Sequence, residues 1–566
     1  MSASDKKKLR KEQNASKMTE RQTQAQKEAK QLKRYTAAFV SIIAIILVVA
    51  IGIVAVRGVV QSGYLQNKSV AAVVGGRELS AVELSYYYFD AINSYYSEAY
   101  NQYSTLTDTY LLYYFNLDVS KPLEDQMYDS KNNKTWAAYF LETALGNAKR
   151  AYLLCDLAAK ADYKLSEDDT STIDSQIAMQ QLYAVYYYGY SNFDKYLGST
   201  YCYGANAENY RSYLEKVTLA ESYYAHYAEE LSYDDEQIAE YIKDKLNDYS
   251  SYTYSSVYLS YTYFLGEKQK DENGKEIDYT DVQRDAARAK AKEVAESLLT
   301  AKTFEELETA VKALEINKDT TTTSASTTKN KLGSGLPTLM KDWLTNADRV
   351  QGDISMIAKE TESTTTVDGK EETTKTVDGY YVVIFDSVND NSTPTVDVHH
   401  LLQSFVDDGN DNKKDDDGNV IYTDEEKAKA KADAEALLKE WEEMEGGKTL
   451  ENFKKLVEEH TDDTSSASTG GLYENISYDQ NYVESFLNWC IDENRKAGDV
   501  EIIESPYGYH IMYFAEHNEM SYRDLLITTD MRTEDTQKWY DEQFKTISGS
   551  LKDLEWIDTD VIIGNR

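Results

Sequence analysis

Cysteine is nearly absent from this sequence: Cys155, Cys202 and Cys490 are the only three among 566 residues. Their spacing fits neither a disulfide framework nor a metal-binding knuckle, so they read as separate, mostly buried thiols, and a Cys155–Cys202 bridge has no support. Proline is as scarce, at 4 residues, and Pro394 falls in Asp386–Thr395, a segment that reads as a linker. Positive charge is outnumbered, with 60 Lys/Arg against 98 Asp/Glu and a net charge of −38, although residues 1–34 hold 11 Lys/Arg against 4 Asp/Glu. So acidic a surface repels phosphates, which excludes nucleic acid as a partner. Histidine is rare too, with 6 in the chain, and three of them stand at the two ends of one segment.

What the chain does have is length, tyrosine and one long apolar run. At 566 residues it is too long for a single core and implies three or four folding units. From Tyr35 to Val56 there is no charge, and a helix of that length spans a hydrocarbon core of roughly 30 Å. Lys30, Lys33 and Arg34 precede it, and only Arg57 follows before a long acidic stretch. Positive residues stay inside, so residues 35–58 are expected to be a membrane anchor, with a cytoplasmic basic tail (1–34) and everything beyond residue 60 exported. The apolar run is long and no clear small-x-small site precedes Gln61, which favours an uncleaved anchor over a signal peptide. No cysteine follows closely enough to carry a lipid.

Beyond the anchor, Val70–Leu79 reads as a strand and turn, and Ser80-x-x-Glu83 as a capping box. Residues 66–249 then carry helical aromatic spacing, as in Tyr210, Tyr213, Leu214 and Val217. Most of these rings belong in a core, yet many tyrosines also suit a cradle for unfolded chains. An internal repeat follows. The turn segment 271–281 is echoed by 415–424, the caps Thr280-x-x-Gln283 and Thr423-x-x-Glu426 each open an Ala/Lys helix, and each copy ends in a Gly-Tyr strand, at Gly379 and Gly508. The pattern indicates two α+β domains of one type, 250–388 and 396–516.

The second copy opens with Val398-His399-His400-Leu401-Leu402 and closes with Gly508-Tyr509-His510-Ile511-Met512; between them lie Thr461–Gly471 and the pair Gly470-Gly471. These motifs resemble the parvulin (PpiC) type of peptidyl-prolyl isomerase. With Phe193–Leu197, Tyr210–Leu214 and Ser232–Ile238 upstream, the order of pieces resembles PrsA/SurA-type extracytoplasmic foldases. The resemblance implies an α+β multidomain chain: the transmembrane helix, a helical SurA-like chaperone domain completed by 518–566, and two parvulin-like domains. It also implies His400, His510 and Asp463 as catalytic residues, Leu472, Tyr482 and Phe486 as the grip on the proline ring, and no cofactor. Tyr482 stands where the family has Met, and Gly470-Gly471-Leu472-Tyr473 lacks its Asp and third Gly. In the first copy Thr262, Thr321 and Tyr381 fall opposite His400, Asp463 and His510, so no isomerase activity is expected there.

The chemistry such residues would serve is rotation about X–Pro bonds, over a barrier of roughly 18–20 kcal/mol. Rotation breaks amide resonance, so the twisted state is less zwitterionic and an apolar pocket favours it; no nucleophile is needed. Alternate strand residues share a face, so His400 points with Val398 and Leu402 while His399 points away. The expectation is a hydrogen-bonded His400–His510 pair with Asp463 tuning it, and no metal, since adjacent strand histidines face opposite ways. The expected partners are unfolded exported proteins containing X–Pro bonds. The alternative is a holdase whose parvulin folds only bind; a more distant one is an adhesin or receptor with one folded partner.

Overall fold

The computed structural model describes residues 3–565 apart from 315–323, 368–369, 407–413, 415–419, 479 and 481. The chain divides into two compact units, Met1–Leu231 with Glu534–Arg566, and Ser232–Thr533.

The first unit begins with one continuous helix, Ala3–Gln61, so the basic tail is helical and runs directly into the apolar segment. Within it Lys27–Gln61 is long and apolar enough to cross a membrane, with a mean hydropathy of 3.3 over its most apolar stretch and none of that stretch buried. Gly63 adopts a left-handed conformation (φ 73°) and turns the chain away from the helix axis. A small antiparallel sheet follows, with Val70–Val74 between Arg77–Ser80 and the C-terminal Gly549–Leu551. Ala81–Gln102, Trp136–Lys160 and Ala207–Glu230 are its long helices. They close over an aromatic core in which Tyr86, Tyr87, Tyr88, Phe89 and Trp136 are each no more than 1% exposed. Ile547, Ile557 and Val561, from the far end of the chain, lie in the same core. The expected capping box at Ser80 is half made. The Ser80 hydroxyl accepts from Glu83 N, but the Glu83 carboxylate turns inward to Tyr152 Oη (2.8 Å) and to Lys216 Nζ. A half-buried ammonium outbids one backbone amide for that carboxylate.

The second unit contains two four-stranded antiparallel sheets with the same strand order. One runs Ser326–Leu332, Ser251–Ser260, Lys370–Asn389, Ile354–Val367; the other runs Leu472–Ile476, Pro394–Ser404, Gly508–Ser521, Val500–Ser505. The capping boxes at Thr280/Gln283 and Thr423/Glu426 are both complete and open the helices Asp281–Ser297 and Asp424–Glu443.

Two sequence expectations are corrected by strand pairing. The Gly379–Ser260 pair of the first sheet matches Gly508–Ser404 of the second. Counting back along the ladder puts Ser256, not Thr262, at the position of His400, while Tyr381 does stand at that of His510. Thr262 lies past the strand end, in the short turn Tyr261–Phe264. Thr321 lies outside the described residues. Likewise the expected linker 386–395 is mostly strand, because Lys370–Asn389 and Pro394–Ser404 leave only 390–393 between them. Asn391 in that turn is buried, with its amide donating 2.9 Å bonds to Tyr249 O and Ser251 Oγ.

Candidate active site

The site is built on the two central strands of the second sheet. Pro394–Ser404 and Gly508–Ser521 pair so that Met512 faces His400 and His510 faces Leu402. Facing residues share one side of an antiparallel sheet, and diagonal neighbours on that side are within reach of ring side chains. His400 and His510 are such a diagonal pair, with Nδ1···Nδ1 3.1 Å, and both are buried. His399 points to the other side, where its Nδ1 meets Gly470 O at 2.8 Å. That other side, with Leu401, Ile511 and Tyr513, packs under Asp424–Glu443 and Leu450–His460.

The loop after His460 carries the carboxylate. It is laced to the edge of the His400 strand: Asp462 N donates to Leu402 O (2.9 Å), and Thr461 Oγ1 accepts from both Leu402 N (3.1 Å) and Asp463 N (3.2 Å). The loop closes at Gly471, whose carbonyl accepts from His400 N at 2.9 Å. Gly471 has φ +76°, and a Cβ there would lie 2.1 Å from His400 O, so no other residue allows this approach.

Asp463 then reaches His400 Nε2 at 3.0 Å. Its oxygens also accept from Ser466 Oγ (2.5 Å), Tyr473 Oη (3.0 Å), and the hydroxyl (2.6 Å) and amide (3.1 Å) of Ser465. The His400 hydrogen bond first, then the Ser465, Ser466 and Tyr473 hydroxyls, hold this carboxyl well below the usual carboxylate range against the opposing effect of burial. Asp463 is therefore ionised and can only accept, which fixes the direction of its bond with His400. His400 donates from Nε2 to Asp463, and its Nδ1 meets that of His510. His510 Nε2 in turn lies 2.8 Å from Ser505 Oγ. Burial, reinforced by the neighbouring His400, lowers the His510 pKa to about 3, so its ring is neutral at physiological pH.

Over the imidazole pair stands an aromatic wall. Phe486, on the helix Glu484–Cys490, meets His400 edge-on at 5.4 Å and lies 5.7 Å from His510. Tyr482 touches Phe486 at 5.3 Å and lies just before that helix. Leu472, expected in this wall, pairs with His399 and so belongs to the opposite face. Its neighbour Tyr473 pairs with Val398 and takes the place, with its ring 4.9 Å from His400 and its hydroxyl on Asp463. Sequence reasoning also passed over Ser465, Ser466 and Ser505. A signal for Ser505 existed: the two-residue turn Pro506-Tyr507 folds it back beside His510.

Residues 413–516 match the rotamase family model, described as the PPIC-type PPIASE domain. The chain carries a peptidyl-prolyl isomerase domain of the PpiC parvulin type. The matched stretch of this domain includes Asp463, Leu472, Tyr482, Phe486 and His510, whereas His400 lies on the strand before it. Among solved structures, the peptidylprolyl isomerase PrsA from Bacillus anthracis is 17% identical with a TM-score of 0.16, covering 28% of this chain and 61% of its own. PrsA from Bacillus cereus is 18% identical with a TM-score of 0.16, covering 30% and 57%. PrsA from Bacillus subtilis is 14% identical with a TM-score of 0.25, covering 76% and 95%. This chain thus spans about 60% of the length of the first two. No curated protein matches.

Proposed function

We propose that the chain is a membrane-anchored extracytoplasmic foldase that speeds cis/trans isomerisation of X–Pro bonds in unfolded exported proteins. The observation that carries this reading is the relay Ser505–His510–His400–Asp463 lying under Phe486. The proline ring sits against Phe486, Tyr482 and Tyr473. The apolar wall favours the twisted amide, which has lost its resonance charge separation, and Asp463 sits near the rotating carbonyl and tunes the histidine network. His400 and His510 hold each other's tautomer and keep Asp463 oriented. Covalent attack by Asp463 is unnecessary, because no bond is exchanged.

The other parts serve this site. Residues 35–58 anchor the chain with its N-terminus cytoplasmic, and the helical unit, completed by the C-terminal tail, holds extended clients on its tyrosines. Residues 250–388 form a second parvulin-like domain without the catalytic set, since Ser256 and Tyr381 replace the two histidines. It binds chain without turning it over.

The test uses the full chain in detergent with short X–Pro peptides in a protease-coupled or NMR exchange assay. Wild type accelerates exchange, and a His400→Ala/His510→Ala double variant loses at least tenfold of that acceleration while keeping its fold. No acceleration by wild type, with client refolding still rescued by the double variant, would leave a holdase instead.

A further inference from the structure

In a chain with 98 Asp and Glu, the run Ser175–Phe193 carries no charge at all. It ends in a single π-helical turn, Tyr183–Tyr187, of the kind that often marks a functional site. Ala184 is fully buried and pins the turn, whereas Tyr186, Tyr187 and Tyr188 are 76%, 66% and 65% exposed, and Leu182, Tyr183 and Val185 are exposed beside them. Left bare to water, so many contiguous apolar and aromatic side chains mark a surface that something covers.

The position of this turn says what. A cavity of about 1150 Å³ is lined by Val60, Gln61 and Ser62, at the end of the membrane-length helix, and by Gly189, Tyr190 and Tyr203. The join is tight: a Cβ on Gly63 would lie 2.1 Å from Gly204 Cα, and Asn67 Nδ2 donates to Gly204 O at 3.3 Å. At 1.5 Å per residue, Tyr35–Val56 rises roughly 33 Å, about the hydrocarbon thickness, and Arg57–Gln61 climbs roughly 7 Å more, about one headgroup layer. The loop that touches Gly63 therefore sits at the outer edge of the headgroups, and the tyrosine turn directly precedes Gly189 in the same cavity wall.

We propose that Leu182–Tyr188 is a membrane foot, whose tyrosines rest in the headgroup layer of the leaflet from which the helix emerges. Tyrosine suits that layer, with an apolar ring and a wet hydroxyl. The missing charge suits it too, since the acidic remainder of the surface is repelled by anionic lipid. The inference rests on the anchor reading above and adds a second point of contact, which would hold the helical unit close against the bilayer.

The full chain is reconstituted in vesicles of mixed phosphatidylcholine and phosphatidylglycerol, with the photocrosslinker p-benzoylphenylalanine placed singly at Val40, Tyr186 or Tyr187. Its benzophenone replaces a phenol at two of these sites, so the turn keeps its packing, and using two adjacent positions guards against local disruption at either. Irradiation is expected to shift the mass of the crosslinked peptide by one phospholipid at all three sites. Adducts at Val40 with none at Tyr186 and Tyr187 would overturn the foot and leave the anchor. Absence of the Val40 adduct would remove the anchor reading, and the foot with it. Adducts of Tyr186 and Tyr187 to an added unfolded polypeptide in place of lipid would overturn the foot in favour of a client site.

Discussion

Among the residues of the site, His510 makes the sharpest prediction. Its pKa is lowered to about 3 in the folded chain, against roughly 6.5 when unfolded. Below pH 6.5 the unfolded state therefore binds a proton that the folded state refuses, so stability is fully present above 6.5 and falls as pH drops toward 3. One such proton costs roughly 1.4 kcal/mol per pH unit inside that window. Urea unfolding at pH 7, 6 and 5 should show the decline, and His510→Gln, which cannot titrate, should flatten it. Asp463 shifts in the same sense but at lower pH: its stabilising bonds are kept above the ordinary carboxylate range and lost only in strong acid. The two contributions are thus separable along the pH axis. Leu472 and Tyr473 show where residue-level reading stops. Both are apolar enough for a pocket, and nothing in Gly470-Gly471-Leu472-Tyr473 says which of them faces His400. The ladder decides, because Leu472 pairs with His399 and one step along a strand changes the face.

At the scale of elements, the loop between the helix Leu450–His460 and the strand Leu472–Ile476 is what brings a carboxylate to the imidazoles. Its closure depends on Gly471. Gly471→Ala would place a methyl against His400 O and force a left-handed residue to carry a Cβ. The expected cost is about 2 kcal/mol or more in chemical denaturation, together with a fall in isomerase turnover as Asp463 leaves His400. A melt that moves without any change in turnover would mean that the loop is held some other way. The helices were legible as elements, because Thr280-x-x-Gln283 and Thr423-x-x-Glu426 are local signals whose partners lie three residues away. The pairing of Ser256, rather than Thr262, with the position of His400 was not legible, since it depends on a strand more than a hundred residues downstream.

For the molecule as a whole, the two ends of the chain are joined within the first unit. Ala72 pairs with Leu551 and Val74 with Gly549, while Ile547, Ile557 and Val561 fill the same core as the tyrosines of Ala81–Gln102. Truncation after Thr546 removes one strand of the small sheet and uncovers that core. Limited proteolysis should then cut within residues 64–231 well before residues 396–516. Equal protection of both regions would show that the tail contributes nothing to the first unit.

By itself the sequence determined the local and compositional facts: an apolar run of membrane length, capped helices, a repeated α+β pattern, and a family signature carried by His400, Asp463, Gly471 and His510. These depend on nearest neighbours, periodicity and residue chemistry, all readable in one dimension. Only the tertiary structure decided which face each strand residue takes, which serines and which tyrosine complete the Asp463 network, and which uncharged turn lies beside the end of the apolar helix. Those follow from strand register and from contacts between distant segments, which free energy of packing selects and linear order does not record.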